Sequence, residues 1–238
     1  GTVTADAATT ETKTASLIKQ ILLDFGISSG DINNSDVTAL NTLNSAAVGV
    51  YATDDITTLA TINLLCESIG SWIGVDKNNV FRQGRLEAPS GSPVATLDDV
   101  SNITVKLLSV GSDDRGLPTW QCQLNFDKNY TVQTDMAGSI GADRKAYLQY
   151  ETRSSVATDN AILTTHPLSA IITQDSLLRT RSDADTEVAR RLTLYKVQRR
   201  LFEIVAYVDA ATLAALDLGV VINVSFGLEI NLFHFLNQ

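Results

Sequence analysis

The stretch 46–89, AAVGVYATDDITTLATINLLCESIGSWIGVDKNNVFRQGRLEAP, constrains the fold of this chain more than any other part. It runs from a short strand at 48–51, through an acidic cap at Asp54 and Asp55, into an amphipathic helix over 57–69. Leu59, Ile62, Leu65, Cys66 and Ile69 recur there at helical spacing, which makes one face apolar. Gly70 stands where a left-handed glycine ends a helix. The period then switches to strand alternation. Segments 72–75 and 80–86 are predicted to pair as a hairpin across the polar turn 76–79, with the second strand closing on Arg85, Leu86 and Glu87. No nucleophile, base and orienting acid converge in this stretch, and no glycine loop leads from a strand into a helix to cradle a phosphate.

The flanking sequence extends the pattern. Leu17, Ile18, Ile21, Leu22 and Phe25 form a helical stripe over 12–25, ended by Gly26, and 36–44 reads as a short helix or turn. Residues 1–14 are small and polar and read as a linker or the edge of a longer protein. Past Pro89-Ser90-Gly91-Ser92-Pro93, the clearest boundary signal, 103–110 and 119–126 alternate as half-buried antiparallel strands do. A strand is expected at 130–133, and strand or helix at 147–156. Ser182 to Asp185 reads as a capping box opening a helix over 183–197, with Ala184, Val188, Leu192 and Tyr195 on one face. A strand at 199–209, a connector at 210–218 and a terminal hairpin of 220–226 and 229–235 complete the chain. The fold class expected is α+β, with an α/β domain at 15–90 joined to a mainly antiparallel, barrel-like β domain at 91–238.

Charge narrows the partners. The net charge is −9 and the isoelectric point about 4.6, which disfavours phosphate backbones, so nucleic acid is not expected as a partner. Arg190, Arg191, Arg199 and Arg200 are the best basic cluster, read as a solvated helix face and a strand start. With 44% hydrophobic and 19% charged residues the chain is globular, and it has no 18-residue apolar run, so membrane insertion is not expected.

Chemistry-bearing residues are sparse. Cys66 and Cys122 read as buried free thiols. His166, ahead of Pro167, and His234, in the last strand, have no second ligand at metal spacing, so no metal or cofactor is expected. The pairs Asp54-Asp55, Asp98-Asp99 and Asp113-Asp114 sit at turns or helix starts, where carboxylates cap backbone N–H groups; a glycosidase pair would need two acids facing across a cleft. Trp72 and Trp120 lie in alternating strand patterns and are expected to be buried in the core or at a subunit interface. The chain is not expected to be an enzyme.

Taken in order, ASLIKQILLDFG, VGVY with the helix after it, GRLEAP, LNFDKNYTVQ, DADTEVARRLTLY with RRLFEIVAYVD, and LDLGVVINVSFGL resemble bacteriophage and prophage tail proteins of the baseplate-hub or tail-tip kind. The resemblance covers nearly everything after residue 14. It implies a small α/β domain carried on barrel-like β domains, a ring assembly that is commonly a trimer, and partners among other tail or baseplate subunits. It places the chain in the virion tail, assembled in the bacterial cytoplasm. Gly227 alone separates the last two strands where such proteins often have a longer turn, so either the hairpin is tight or residues are absent and the barrel is incomplete; an incomplete barrel is expected to find its missing partners in other chains. The candidate interface residues are Val224, Phe226, Ile230 and Leu232. A receptor- or glycan-binding tail module, which would present exposed aromatics, and a tail-associated cell-wall hydrolase are the alternatives.

Overall fold

Eleven residues, Thr14–Asp24, form helix α1, with Ile18 and Leu22 buried. At its end Gly26 adopts φ 99, which lets the N–H groups of Gly26 and Ile27 turn back onto the carbonyls of Leu23 and Leu22. The computed structural model describes residues 11–51, 56–98, 103–108, 117–226 and 228–234, with Phe226 and 228–234 described as backbone only. Helix α2, Asn34–Leu43, starts at Asn33, whose side chain accepts from the N–H groups of Ser35 and Asp36. Helix α3, Thr58–Ile69, follows. Its cap is Thr57, accepting from the Ala60 N–H, whereas the expected cap at Asp54 and Asp55 lies outside the described residues. Strands β1, Ser71–Val75, and β2, Phe81–Arg85, form the expected hairpin, with Ile73 opposite Gln83. The Asp76 carboxylate accepts from the N–H groups of Asn78 and Val80, and that closes the turn.

The strand expected at 48–51 is not one. Ala47 and Val48 make isolated bridges to Lys13 and Leu178, one rung each, and Tyr51 projects into solvent. β-prone residues need a continuous neighbour to become a strand, and here the chain crosses two neighbours in succession.

Beyond residue 90 the class is α+β as expected, with several departures. Strand β3, Thr96–Leu97, is two residues long, and β4 is Thr104–Leu108. Strand β5, Gln121–Phe126, alternates strictly and buries Cys122, Leu124 and Phe126. No strand forms at 130–133. Segment 147–156 is divided: helix α4, Ala142–Gln149, ends within it, and strand β6, Arg153–Thr158, begins within it. Helix α5, Asn160–Thr165, leads to β7, Ile171–Asp175. Helix α6 spans Arg181–Tyr195 and is capped by Thr180, which accepts from the Asp183 N–H, so the cap lies two residues before Ser182. Strand β8 covers Leu201–Val205, and the expected connector at 210–218 contains helix α7, Ala210–Ala215. The terminal hairpin is β9, Val221–Phe226, with β10, Leu228–His234.

Four small sheets result: β1-β2, β4-β8, β6-β5-β7 and β10-β9-β3. Among the described residues none closes into a barrel. The larger core joins Ile18, Leu40, Leu65 and Ile69 from the first three helices to Leu124, Phe126, Leu178 and Val188, so a single buried cluster draws on both sides of the 89–93 segment. Trp72 is half-buried, with its indole lying against the backbone of Gly84 and Gly219. A smaller core gathers Leu97, Ile222 and Val224 with Ile204, Ala206 and Val208. Among the described residues no helix is long and apolar enough to cross a membrane.

Candidate functional site

Of the arginines expected on a solvated helix face, Arg191 is buried and Arg190 half-buried, while Arg199 and Arg200 are exposed. Arg191 is 3% exposed and Glu187 2% exposed on the inner side of α6. Position 191 lies seven residues after Ala184 and four before Tyr195, so it falls on the same helical stripe as those residues. The Glu187 carboxylate accepts from Arg191 Nε at 2.7 Å and from Arg190 Nη2 at 2.7 Å and Nε at 2.9 Å. Arg191 also donates to Gln174 Oε1 on β7 and to the Glu67 carbonyl, and Arg190 donates to the carbonyls of Ile69 and Leu86. Two cations are thereby aimed at the carbonyl end of α3, where they satisfy orphan acceptors and oppose the negative pole of that helix. Burial works against the Arg190 charge, but the bonds and field of Glu187 outweigh it and hold the guanidinium protonated. With its carboxylate oxygens already engaged, Glu187 has no reacting atom to offer. The network is a joint between α6, α3 and β7.

A second joint is more exposed. Arg82 on β2 pairs with Asp36 of α2 and with Asp217 after α7, and its bonds to Asp36 raise its pKa further above the ordinary arginine range. Lys77, at the hairpin turn, donates to the carbonyls of Leu213, Ala214 and Leu216 at 3.0, 2.7 and 3.1 Å, which fastens the end of α7.

Of the interface candidates, Val224 has a described side chain, and it falls differently from expectation. Val224 is 1% exposed within the smaller core, so it is a core residue of this chain and has no free surface to present. Strand β9, which carries Val224 and Phe226, lies between β10 and β3, so of the two terminal strands only β10 borders an open edge among the described residues. Ile230 is opposite Val224, while Leu232 lies within the register shift between Ile230 and Phe233. His166 caps the end of helix α5, whereas His234 lies in strand β10 opposite Val221. Asp54, Asp55, Asp99, Asp113 and Asp114 lie outside the described residues. Cys66 and Cys122 are buried free thiols, as expected.

The concave regions among the described residues include two of note. One, of about 460 Å³, lies between α4 and the start of α6 and is walled by Asp143, Tyr147, Tyr150, Arg153 and Arg181. Arg153 stacks over the Tyr147 ring at 4.4 Å and reaches Asp127 at 3.5 Å; Arg181 stands 4.0 Å from Asp185. Flat aromatic faces beside cations can hold a sugar or a peptide. The other recess, of about 340 Å³, is lined mainly by apolar residues of the segments 204–208 and 213–220.

The surface that the sequence reading missed is the outward face of the β4-β8 ribbon. Burial alternates from 201 to 208: Phe202, Ile204, Ala206 and Val208 are half-buried, while Leu201, Glu203, Val205 and Tyr207 face solvent. Val205 is 58% exposed and Tyr207 79%. A strand that is apolar on both faces, LFEIVAYV, carried the signal, because a simple surface strand is polar on its outer side.

Neither a family model nor a curated protein matches the sequence. Among solved structures, the tail protein from Neisseria meningitidis MC58 is similar to this chain, with a TM-score of 0.48 and 12% identity over 93% of this chain. The chain spans 59% of the length of that structure.

Proposed function

We propose that this chain is a structural subunit of a bacteriophage or prophage tail, of the baseplate-hub or tail-tip kind, that acts through protein–protein assembly and catalyses no reaction. The observation that carries the reading is the set of four sheets, each of two or three strands and none closed among the described residues, ending on the seven-residue edge strand β10. Two-stranded sheets are marginal by themselves, and open edges offer unpaired N–H and C=O groups to another chain. The ordered resemblance of the sequence to tail hub proteins supports the same reading. Its partners are then other tail or baseplate subunits, with copies of itself closing a ring such as a trimer, and its place is the virion tail. A receptor- or glycan-binding tail module is the second reading, favoured by the recess with Tyr147, Tyr150, Arg153 and Arg181.

Co-expression with the neighbouring tail proteins, followed by mass measurement of the purified complex, tests the proposal. Leu232→Pro is the informative variant. It removes an N–H where the β10-β9 pairing is already interrupted, so the chain's own ladder loses least. The expected result is a discrete complex for the native chain and a weakened one for the variant, with unchanged circular dichroism. A chain that stays monomeric with every neighbour would overturn the assembly reading.

A further inference from the structure

We infer that the outward face of the β4-β8 ribbon packs on the same face of a second copy of this chain, about a two-fold axis running along the strands. The inference rests on the reading of the chain as an assembling subunit and adds a contact separate from the β10 edge. Register defines the face. Leu108 is opposite Leu201, Lys106 opposite Glu203 and Thr104 opposite Val205, and opposed residues of an antiparallel pair share a side. Tyr207 continues the same row two residues beyond Val205. On the inner side Ile204, Ala206 and Val208 pack on the smaller core, while Leu107 of β4, opposite Phe202, is 59% exposed.

Three features point to a second copy as the occupant. The row is apolar at Leu201, Val205 and Tyr207, with a single ion pair between them: Lys106 Nζ lies 3.5 Å from a Glu203 carboxylate oxygen. The face is therefore neutral on a chain whose net charge is −9, which relieves the repulsion that two copies meet elsewhere. It is also self-complementary in one orientation only. Rotation about an axis along the strands lays β4 of one copy over β8 of the other at the same level. Lys106 then meets Glu203 of the second copy and the reverse, Leu108 meets Leu201, and Thr104 meets Val205. Rotation about an axis across the strands at the same level would instead set Lys106 on Lys106 and Glu203 on Glu203. An isologous contact requires the first arrangement. At roughly 3.3 Å per residue and about 5 Å between strands, a ribbon this short buries a few hundred Å² per copy, below the ~800 Å² of a stable interface. Self-association of the isolated chain is accordingly weak and concentration-dependent.

Charge reversal distinguishes contacts between copies from the ion pair within one. Lys106→Glu carries two acids on this face and Glu203→Lys carries two bases, so each variant repels itself while the two attract one another. Sedimentation velocity at up to about 1 mM chain is expected to show a reversible dimer for the native protein. Each single variant should dimerise roughly tenfold or more weakly, and an equimolar mixture should recover a heterodimer. Val205→Asp should abolish the dimer in every combination. Circular dichroism and thermal melts check that each variant is folded; should a reversal variant fail this check, Thr104→Lys and Thr104→Glu repeat the pairing test at the neighbouring rung. A native chain that stays monomeric over this range, reversal variants that dimerise like the native chain, or a mixture that does not pair would each overturn the inference. Co-expression with tail neighbours separates the two levels. Normal complex formation by variants that fail to pair leaves the tail reading intact and defeats only the ribbon contact, whereas ribbon pairing with no tail complex defeats the tail reading.

Discussion

Arg191 Nε donates to Glu187 Oε1 at 2.7 Å, one helical turn apart, with both side chains almost wholly removed from water. Such a pair is costly to bury and costlier to break, because a lone charge left in the interior has no compensating partner. Glu187→Leu, which leaves the Arg191 guanidinium buried without its carboxylate, is therefore expected to lower stability by about 3–5 kcal/mol. The double variant Glu187→Leu/Arg191→Met should recover much of that loss. Denaturant titration of both variants checks the expectation; equal losses in the two would mean that packing, and not the isolated charge, dominates at this joint.

Gly70 ends α3 at φ 62, and a Cβ there would stand 2.5 Å from Arg190 Nη2. That guanidinium is held by Glu187 and by the carbonyls of Ile69 and Leu86, so it cannot simply swing away. Gly70→Ala is expected to cost about 1–3 kcal/mol. Repeating the substitution in an Arg190→Ala background removes the steric part, so the cost of the glycine change should fall there. An identical cost in both backgrounds would assign the whole effect to backbone strain.

Asp76 shows a pH dependence of definite sign. Its carboxylate accepts from the Val80 N–H and from the Asn78 N–H and faces Arg82, and these hold its pKa below the ordinary aspartate value. A depressed folded-state pKa means that the stabilisation is fully present above about pH 4 and is lost as pH falls through the lower folded value. Acid titration of stability should be steeper in the native chain than in Asp76→Asn as pH falls below about 4. Parallel curves would show that the turn carboxylate contributes nothing.

Burial pushes the Cys66 thiol up, and it pushes Cys122 up to about 11. The thiolate is the reactive form, so both should be nearly inert to a disulfide reagent at pH 8. Reaction in the native state should be at least ~100-fold slower than after unfolding, when two thiols per chain should react. Rapid native labelling of Cys122 would contradict the placement of β5 against α6.

Local rules were enough for α1, α3, the β1-β2 hairpin and α6, because each depends on periodicity and end signals that lie within a dozen residues. Gly26 and Gly70 stop their helices at positive φ, and the 76–79 turn closes on its own aspartate. Local rules were not enough where a segment's structure is set by what lies beside it. Val48 became a bridge because Leu178 was its neighbour for a single rung, and Arg191 went inside because Glu187, Gln174 and the open end of α3 were there to receive its charge. The sequence by itself therefore determined the α+β class, the principal helices and the apolar faces. Only the tertiary structure decided that β4 pairs with β8, almost a hundred residues away, that β9 is a central strand and Val224 a core residue, and that the outer row of Leu201, Val205 and Tyr207 stays uncovered. Periodicity states which residues share a face, whereas the choice of neighbour is a competition among all faces of the folded chain.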